Sequence, residues 1–275
     1  MRPELQYLFR MEKLPHIWCP GCGHGIITRA IGEAIAQSEL DLEKTVIVSG
    51  IGCSSRASGY MNFDTLHTLH GRALAFATGV KLADPELNVF VITGDGDATA
   101  IGGNHFIHAA RRNIDLNIIL YNNNIYGMTG GQYSPLTPTG KKASTAPYGN
   151  PENNFDIPAL AIAAGASYVA RSTAFHDKLL TDLIKEGMQN KGFSLIEALS
   201  MCPTSYGRRN KLGDAAKMLN DLKTTAVNIT VAKKLSPEKL AGKFLIGRLH
   251  HKPYPEFTAE YEKLIRELQE KEEAE

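Results

Sequence analysis

The sequence predicts an α/β protein built on a doubly wound, mainly parallel sheet. Two observations lead to this prediction: short continuous apolar runs rich in β-branched residues recur along the chain, and helix-like segments lie between them. Continuous apolar runs are typical of strands buried on both faces, as in a parallel sheet covered by helices. Parallel neighbours also need crossover helices, which the intervening segments supply. Ligands of such sheets bind at the carboxyl ends of the strands.

Strands and helices are predicted to alternate along most of the chain. The predicted strands are residues 46–48, 89–92, 118–120 and 195–196 with their flanks. The predicted helices are residues 25–37, 71–83, 104–112 and 173–190. The segment 122–154 is rich in Gly, Pro, Thr, Ser and Asn and contains no strand-like run. A loop of this length inside a domain is usually functional or disordered.

The chain is expected to divide into an α/β domain over residues 1–200 and a C-terminal extension over 201–275, packed on the same domain and on a partner subunit. The extension ends in a predicted helix at 257–270. The apolar residues of this helix form one stripe: Phe257, Tyr261, Leu264, Ile265 and Leu268. Such a stripe predicts either a packed terminal helix with a solvated charged tail, or docking to a partner.

Composition excludes several classes of protein. The 275 residues include 30 Lys or Arg and 29 Asp or Glu, so the formal net charge of +1 argues against a nucleic-acid partner. Four cysteines are too few for a secreted disulfide scaffold. The N-terminus lacks the apolar run of a signal peptide, and no apolar stretch approaches the roughly 20 residues of a membrane span. We therefore expect a cytoplasmic enzyme or enzyme subunit.

Polar residues follow two of the predicted strands where each strand ends. Gly94, Asp95 and Gly96 follow the strand at 89–92, and Asn123 follows the strand at 118–120. One strand–helix–strand unit separates Asp95 from Asn123, which predicts that both lie at the same sheet edge. Carboxylate, amide and backbone oxygens suit Mg²⁺, and glycines let a backbone approach a pyrophosphate.

Other phosphate-binding motifs fit less well. A dinucleotide fingerprint needs a third glycine, but Thr99 and Ser55 occupy that position in the two candidate loops. The chain has no P-loop sequence. A tight Gly-Asp-Gly turn beside an unrelated asparagine cluster remains the structural alternative.

The four cysteines have the placement of site residues. Cys19 and Cys22 form a C-x-x-C pair before a predicted helix, whereas Cys53 and Cys202 each follow a strand. From spacing alone, an iron–sulfur cluster, a zinc or redox pair, and unrelated thiols all remain open. Because Cys53 follows a strand of the same sheet as Asp95, we expect the thiols to lie near the predicted magnesium site.

The Gly-Asp-Gly…Asn pattern resembles the thiamine-diphosphate-binding signature. Longer motifs resemble the beta subunits of 2-oxoacid:ferredoxin oxidoreductases, and most closely the 2-oxoglutarate branch. These motifs are WCPGCGHG (18–25), SGIGCSSRASGY (49–60), LHTLHGRALAFATGVKLADP (66–85), VITGDGDATAIGGNH (91–105), NNNIYGMTGGQYSPLTP (122–138) and CPTSYGRRNKLGD (202–214). The resemblance implies a thiamine-diphosphate-binding fold with a C-terminal extension. It also implies oxidative decarboxylation of a 2-oxoacid with coenzyme A to an acyl-CoA, CO₂ and reduced ferredoxin.

The resemblance also assigns roles to residues. Asp95, Asn123 and the backbone oxygen of Ile125 would hold Mg²⁺, and the four cysteines would ligate one 4Fe–4S cluster. The residues that would line thiamine diphosphate are Ile51, Gly52, Cys53, Ser54, His70, Gly96, Asp97, Gly127 and Met128. Arg56 is either a substrate-binding residue, which would pair with the distal carboxylate of 2-oxoglutarate, or a surface arginine.

The family resemblance also leads us to expect a particular substrate and particular partners. The resemblance to the 2-oxoglutarate branch makes 2-oxoglutarate the expected substrate. Met128 stands where pyruvate-specific relatives typically have Asn, which disfavours pyruvate but does not by itself identify 2-oxoglutarate. No catalytic residue is assigned in this chain, because the glutamate that activates thiamine is expected from an alpha subunit, in a heterodimer or a dimer of such pairs. The basic run Arg208, Arg209 and Lys211 either steers an acidic ferredoxin or is an ordinary solvated loop.

Three alternatives stay open at this point. The same enzyme class could act on pyruvate or branched-chain 2-oxoacids. A non-redox thiamine-dependent decarboxylase or synthase subunit with a structural zinc would keep the Gly-Asp-Gly…Asn pattern. A non-catalytic scaffold subunit would need neither the metal nor the thiols.

Overall fold

The computed structural model describes residues 2–274 and contains one mixed sheet that organises the chain. Its strands are β1 (Thr45–Ser49), β2 (Asp64–His67), β3 (Asn88–Gly94), β4 (Leu116–Asn122), β5 (Tyr168–Thr173), β6 (Phe193–Leu199), β7 (Ala226–Asn228) and β8 (Phe244–His251). They lie in the order β2-β1-β3-β4-β6-β5-β8-β7. Neighbouring strands from β2 to β5 are parallel, whereas β8 runs antiparallel to β5. The predicted doubly wound, mainly parallel α/β fold is therefore confirmed.

Helices cover both faces of this sheet. The α-helices are α1 (His24–Ala36), α2 (Ala73–Ala83), α3 (Gly103–Arg111), α4 (Ile157–Ala164), α5 (Asp177–Gln189), α6 (Ala215–Thr225), α7 (Ile229–Ala232), α8 (Pro237–Leu240) and α9 (Phe257–Ala274). Short 3-10 or π turns occupy Pro3–Leu8, Met11–Lys13, Ser54–Gly59, Asp97–Ile101 and Pro203–Gly207. No helix among the described residues combines the length and apolarity needed to cross a membrane.

The core has two apolar layers, one on each face of the sheet. Phe90 and Ile92 point to the layer that contains α1 and α5. Val89 and Val91 point to the layer that contains α2, α3 and α4. Alternate residues of one strand thus enter opposite layers, and all four are at most 1% exposed. Burial on both faces explains why the strands are continuous apolar runs in the sequence.

Strand β5 was not predicted, and it shortens the helix predicted at 173–190. Thr173 is the last residue of β5, and α5 begins only at Asp177. The Thr173 hydroxyl oxygen accepts the N–H groups of Phe175, at 3.1 Å, and His176, at 3.2 Å. This local turn separates strand from helix. The strand carries Arg171 within its run, so its sequence lacks the apolar pattern of the other central strands.

The C-terminal segment extends the sheet and then leaves it. Strands β7 and β8 join the edge at β5, and the proposed domain boundary at residue 200 stays a prediction. The prediction of a packed terminal helix is wrong, because the side chains of its stripe are 40–52% exposed at Tyr261, Leu264, Ile265 and Leu268. Phe257 alone of the stripe packs against the core, and the acidic tail continues the helix to Ala274. Docking of this helix to a partner stays a prediction.

Candidate functional site

A cleft opens at the carboxyl edge of the sheet, where the loops after β1, β2, β3 and β4 meet. We call it the strand-end cleft. The residues lining it that were singled out from the sequence are Ile51, Gly52, Cys53, Ser54, His70, Asp95, Gly96, Asp97, Asn123, Ile125, Gly127 and Met128. The parallel sheet thus brings every predicted thiamine and magnesium residue to one cleft, while their roles stay predictions.

Asp95 and Asn123 are buried polar groups at the base of this cleft, each at most 5% exposed. The Ser134 hydroxyl donates a hydrogen bond to Oδ2 of Asp95. Oδ1 of Asn123 accepts the N–H of Ile125 at 3.3 Å. Burial raises the pKa of the Asp95 carboxyl to about 7. A cation at this position favours the ionised carboxylate, and the set of hard oxygens suits Mg²⁺.

Asp97 holds the loops of the cleft together. Its Oδ1 accepts the N–H of Gly71 at 2.7 Å and that of Ile51 at 3.3 Å, and it also pairs with Nδ1 of His70. Its Oδ2 accepts the hydroxyl of Thr93 at 2.8 Å. One buried carboxylate therefore joins the loops after β1 and β2 to the end of β3. Asp97 therefore shapes the cleft by tying its loops together.

Two glycines permit close packing that no other residue allows. A Cβ on Gly96 would lie 2.1 Å from Cζ of Tyr126. The Tyr126 hydroxyl donates to the Gly96 carbonyl at 2.9 Å, so the loops after β3 and β4 are tied together. A Cβ on Gly50 would lie 2.1 Å from Oδ2 of Asp97. Both glycines are therefore required by the walls of the cleft.

The four cysteines line a second cavity, which we call the cysteine cavity. Cys19 and Cys22 come from the turn before α1, Cys53 from the loop after β1, and Cys202 from the loop after β6. All four are free thiols. Among residues 2–274, no group of three or more His, Cys, Asp or Glu side chains is arranged to hold a single metal ion.

The electrostatics of the thiols reflect their burial and their closeness to one another. Burial raises the pKa of the Cys22 thiol to about 12, and the three other thiols add to this shift. Burial raises the pKa of the Cys53 thiol to about 11, with further increases from Cys202, Cys19 and Asp95. The N–H of Ser205 points to the sulfur of Cys202 at 3.4 Å.

The strand-end cleft and the cysteine cavity share a wall. Cys53, Asn123, Gly127 and Met128 line both. A Cβ on Gly127 would lie 3.4 Å from Sγ of Cys53 and 3.6 Å from Sγ of Cys202. The two sulfur atoms are therefore no further apart than the sum of these distances, and Nδ2 of Asn123 lies 4.0 Å from the same point.

The sequence analysis gave no role to two residues that line the cleft, and it proposed a substrate role for one residue that lines neither cavity. His24 and Tyr126 both line the strand-end cleft and lie within motifs that had carried the resemblance, but no role was assigned to them. His24 is fully buried with Nδ1 3.1 Å from Oγ of Ser200, and burial lowers its pKa to about 3, so it is neutral. Arg56 is exposed on its 3-10 turn and lines neither cavity, so its substrate role stays a prediction.

Comparisons with known proteins show which family the chain resembles. Residues 50–198 match the family model described as thiamine pyrophosphate enzyme, C-terminal TPP binding domain. The chain is 54% identical over 268 residues to the 2-oxoglutarate synthase subunit KorB of Methanocaldococcus jannaschii, covering 98% of this chain and 99% of that protein. It is 46% identical over 189 residues to the 2-oxoacid:ferredoxin oxidoreductase subunit beta of Saccharolobus solfataricus, covering 68% of this chain and 62% of that protein.

A solved structure is similar over nearly the whole chain. It is described as 2-oxoglutarate:ferredoxin oxidoreductase from Magnetococcus marinus with 2-oxoglutarate, coenzyme A and succinyl-CoA bound. The TM-score is 0.84 at 36% identity, covering 94% of this chain and 88% of that chain. The matched thiamine domain spans all the loops of the strand-end cleft. The resemblance seen in the sequence is confirmed: the chain belongs to the family of 2-oxoacid:ferredoxin oxidoreductase beta subunits.

Proposed function

We propose that the chain is the beta subunit of a 2-oxoglutarate:ferredoxin oxidoreductase. With an alpha subunit it would convert 2-oxoglutarate, coenzyme A and two oxidised ferredoxins to succinyl-CoA, CO₂, a proton and two reduced ferredoxins. The observation that carries the proposal is the shared wall between a cleft with oxygen ligands and a cavity lined by four thiols. Relatives named 2-oxoglutarate synthase support the choice of substrate.

The strand-end cleft fits thiamine diphosphate and Mg²⁺. The buried Asp95 carboxylate, the Asn123 amide oxygen and the Ile125 carbonyl would hold the metal, which takes diphosphate oxygens as further ligands. Gly96 lines this cleft, and the absence of a Cβ there makes room for the Tyr126 ring. When bound, thiamine diphosphate supplies the electron sink for decarboxylation. The protein's part is to orient the cofactor and to exclude water, and the glutamate that activates thiamine is assigned to the alpha subunit.

The cysteine cavity fits a 4Fe–4S cluster. Four thiols from three chain segments surround one cavity, and backbone N–H groups of His24, Met128 and Ser205 point to the sulfurs of Cys22, Cys53 and Cys202. Such N–H···S contacts tune cluster potentials. When bound, the cluster supplies a one-electron carrier between the cofactor and ferredoxin. Cys53 and Gly127 line both cavities, so the two groups would lie on either side of one wall.

The assay that tests this function uses the complex with its alpha subunit. The complex is purified anaerobically and supplied with coenzyme A, a viologen dye, and either 2-oxoglutarate, pyruvate or a branched-chain 2-oxoacid. We expect kcat/KM for 2-oxoglutarate to exceed that for pyruvate by at least about tenfold, since each 1.4 kcal/mol of selective binding gives that factor. Greatest activity with pyruvate would overturn the substrate. Decarboxylation by a colourless, zinc-containing complex that reduces no dye would instead favour the non-redox alternative.

A basic surface beside the cysteine cavity suits an acidic electron carrier. We define it by five residues of two loops: Lys141, Lys142, Arg208, Arg209 and Lys211. Asn210 joins the loops, because its side chain exchanges hydrogen bonds with the backbone of Lys142 at 2.8 and 3.0 Å. Within residues 2–274 none of the five pairs with a carboxylate. We assign this surface to ferredoxin.

Reversing two charges of the basic surface should weaken ferredoxin use selectively. The double variant Arg208→Glu/Arg209→Glu is expected to raise the KM for ferredoxin about tenfold at low ionic strength, because steering depends on opposite charge. The effect should shrink as salt is added. The rate with viologen should not change. Lys233→Glu/Lys234→Glu is the matched control, since both side chains are exposed after α7, near the sheet edge at β7, and neither pairs with a carboxylate among the described residues. An equal loss in the control would contradict the assignment.

A further inference from the structure

We infer that Ser134 and Thr137 are positioning residues of the magnesium site, although neither would ligate the metal. The inference rests on the proposed function, because it concerns the site formed by Asp95, Asn123 and Ile125. Ser134 and Thr137 lie in the long loop after β4, and both are at most 1% exposed. Each donates its hydroxyl proton to a group at, or next to, a proposed ligand.

Ser134 fixes the rotation of the Asp95 carboxylate. Its Oγ accepts the N–H of Leu136 at 3.3 Å, and its own proton goes to Oδ2 of Asp95. A carboxylate with one oxygen held in this way cannot rotate freely, so its orientation toward the other ligands of the site is fixed. Hydrogen bonds to metal-ligating carboxylates orient them in this manner.

Thr137 fixes the turn that carries the other two ligands. Its hydroxyl donates to the Asn124 carbonyl at 2.6 Å and accepts the N–H of Ser134 at 2.8 Å. Asn124 lies between Asn123 and Ile125 and has a φ of +61°, in the left-handed region. A non-glycine residue in that region needs support from its surroundings. Thr137 supplies it at the carbonyl of that residue.

The two hydroxyls therefore act as one device. Ser134 bonds to Asp95 in the loop after β3, and Thr137 bonds to Asn124 at the start of the loop after β4. One short segment therefore sets the spacing between the two halves of the site. The segment is itself anchored: Asn150 donates to the Thr137 carbonyl at 2.8 Å, and Phe155 donates its N–H to the Pro135 carbonyl at 2.9 Å. This gives a role to residues of the long loop for which the sequence predicted none.

Binding of Mn²⁺, a paramagnetic substitute for Mg²⁺, tests the inference without relying on activity. The alpha–beta complex is stripped of metal, supplied with thiamine diphosphate and titrated with Mn²⁺ while free Mn²⁺ is followed by electron paramagnetic resonance. Ser134→Ala and the near-isosteric Thr137→Val should each weaken Mn²⁺ binding by about 10–100-fold, the usual loss when an outer-shell partner is removed. Thr137→Ser keeps the hydroxyl and should bind within about threefold of the unmodified complex.

Thr139→Ala is the matched control, because the Thr139 hydroxyl donates to the Glu152 carbonyl at 2.7 Å within the same loop. It should bind Mn²⁺ as tightly as the unmodified complex. Unchanged affinity in Ser134→Ala and Thr137→Val, or an equal loss in Thr139→Ala, would overturn the inference. If Ser134→Ala does not fold, the difference between Thr137→Val and Thr137→Ser decides.

A further variant separates failure of this inference from failure of the proposed function. Asp95→Asn removes the charge of a proposed ligand while keeping its shape. If Asp95→Asn loses Mn²⁺ but Ser134→Ala and Thr137→Val do not, the metal site stands and the positioning role fails. If Asp95→Asn binds Mn²⁺ like the unmodified complex, the proposed metal site itself fails.

Discussion

Replacing Asp95 with alanine should abolish magnesium-dependent binding of thiamine diphosphate and, with it, oxidation of 2-oxoacids by the complex. Asp95 is the charged member of the proposed ligand set, since Asn123 and the Ile125 carbonyl are neutral. At an effective dielectric constant of 20, one unit charge pair 4 Å apart contributes about 4 kcal/mol. That energy corresponds to about 1,000-fold in affinity, and Mg²⁺ carries twice the charge. We therefore expect a loss of at least about 1,000-fold.

Calorimetric titration of the metal-depleted complex with thiamine diphosphate, with and without Mg²⁺, measures this loss. The metal-free variant should remain folded, because burial disfavours the charged form of Asp95 and raises its pKa to about 7. Its free energy of unfolding should fall by about 1–3 kcal/mol, the usual cost of leaving a buried donor such as the Ser134 hydroxyl unsatisfied. Asp84→Ala, at the exposed turn before β3, is the control and should bind normally. Retained affinity in Asp95→Ala would exclude the proposed ligand.

The neighbourhood of Asp95 could be predicted from sequence because it depends on topology. Two apolar runs, now β3 and β4, are adjacent parallel strands with Gly94 opposite Tyr121, so the polar residues after each run meet. The same reasoning brought Cys53 to this edge. It did not show that Asp97, which follows the same strand as Asp95, ties the surrounding loops together. The backbone N–H groups of Ile51 and Gly71 reach Asp97 from other loops.

Features that depend on long-range contacts could not be predicted. Ser134 lies far from Asp95 in sequence, and nothing in an irregular polar loop identifies which hydroxyl turns inward. Strand β5 was missed because Arg171 interrupts its apolar pattern, yet Arg171 is neutralised inside the fold by Glu197, with Nε 2.6 Å from Oε2. For α9 the helix was predicted but its packing was not found, because an amphipathic pattern does not reveal whether the same chain covers the apolar stripe.

Replacing Cys202 with serine should remove the iron–sulfur cluster but leave thiamine diphosphate binding intact. Serine supplies a harder and less acidic ligand than the thiolate that iron–sulfur clusters prefer. Cys202 lines the cysteine cavity and is absent from the lining of the strand-end cleft, so the magnesium ligands should not move. We expect the anaerobically purified complex to lose its brown colour and its iron, and the viologen rate to fall by at least about 100-fold.

Metal analysis for iron and zinc, combined with titration of thiamine diphosphate, distinguishes an iron–sulfur cluster from a zinc site at the four thiols. Ser205→Ala is the matched control: Ser205 lines the same cavity, and the variant keeps the backbone N–H that points to Cys202. It should retain iron and colour. Iron retained in Cys202→Ser would contradict ligation by Cys202, and stoichiometric zinc in the unmodified complex would favour the non-redox alternative. Loss of both iron and cofactor binding would mean that the shared wall at Gly127 couples the two sites structurally, so that neither can be occupied independently.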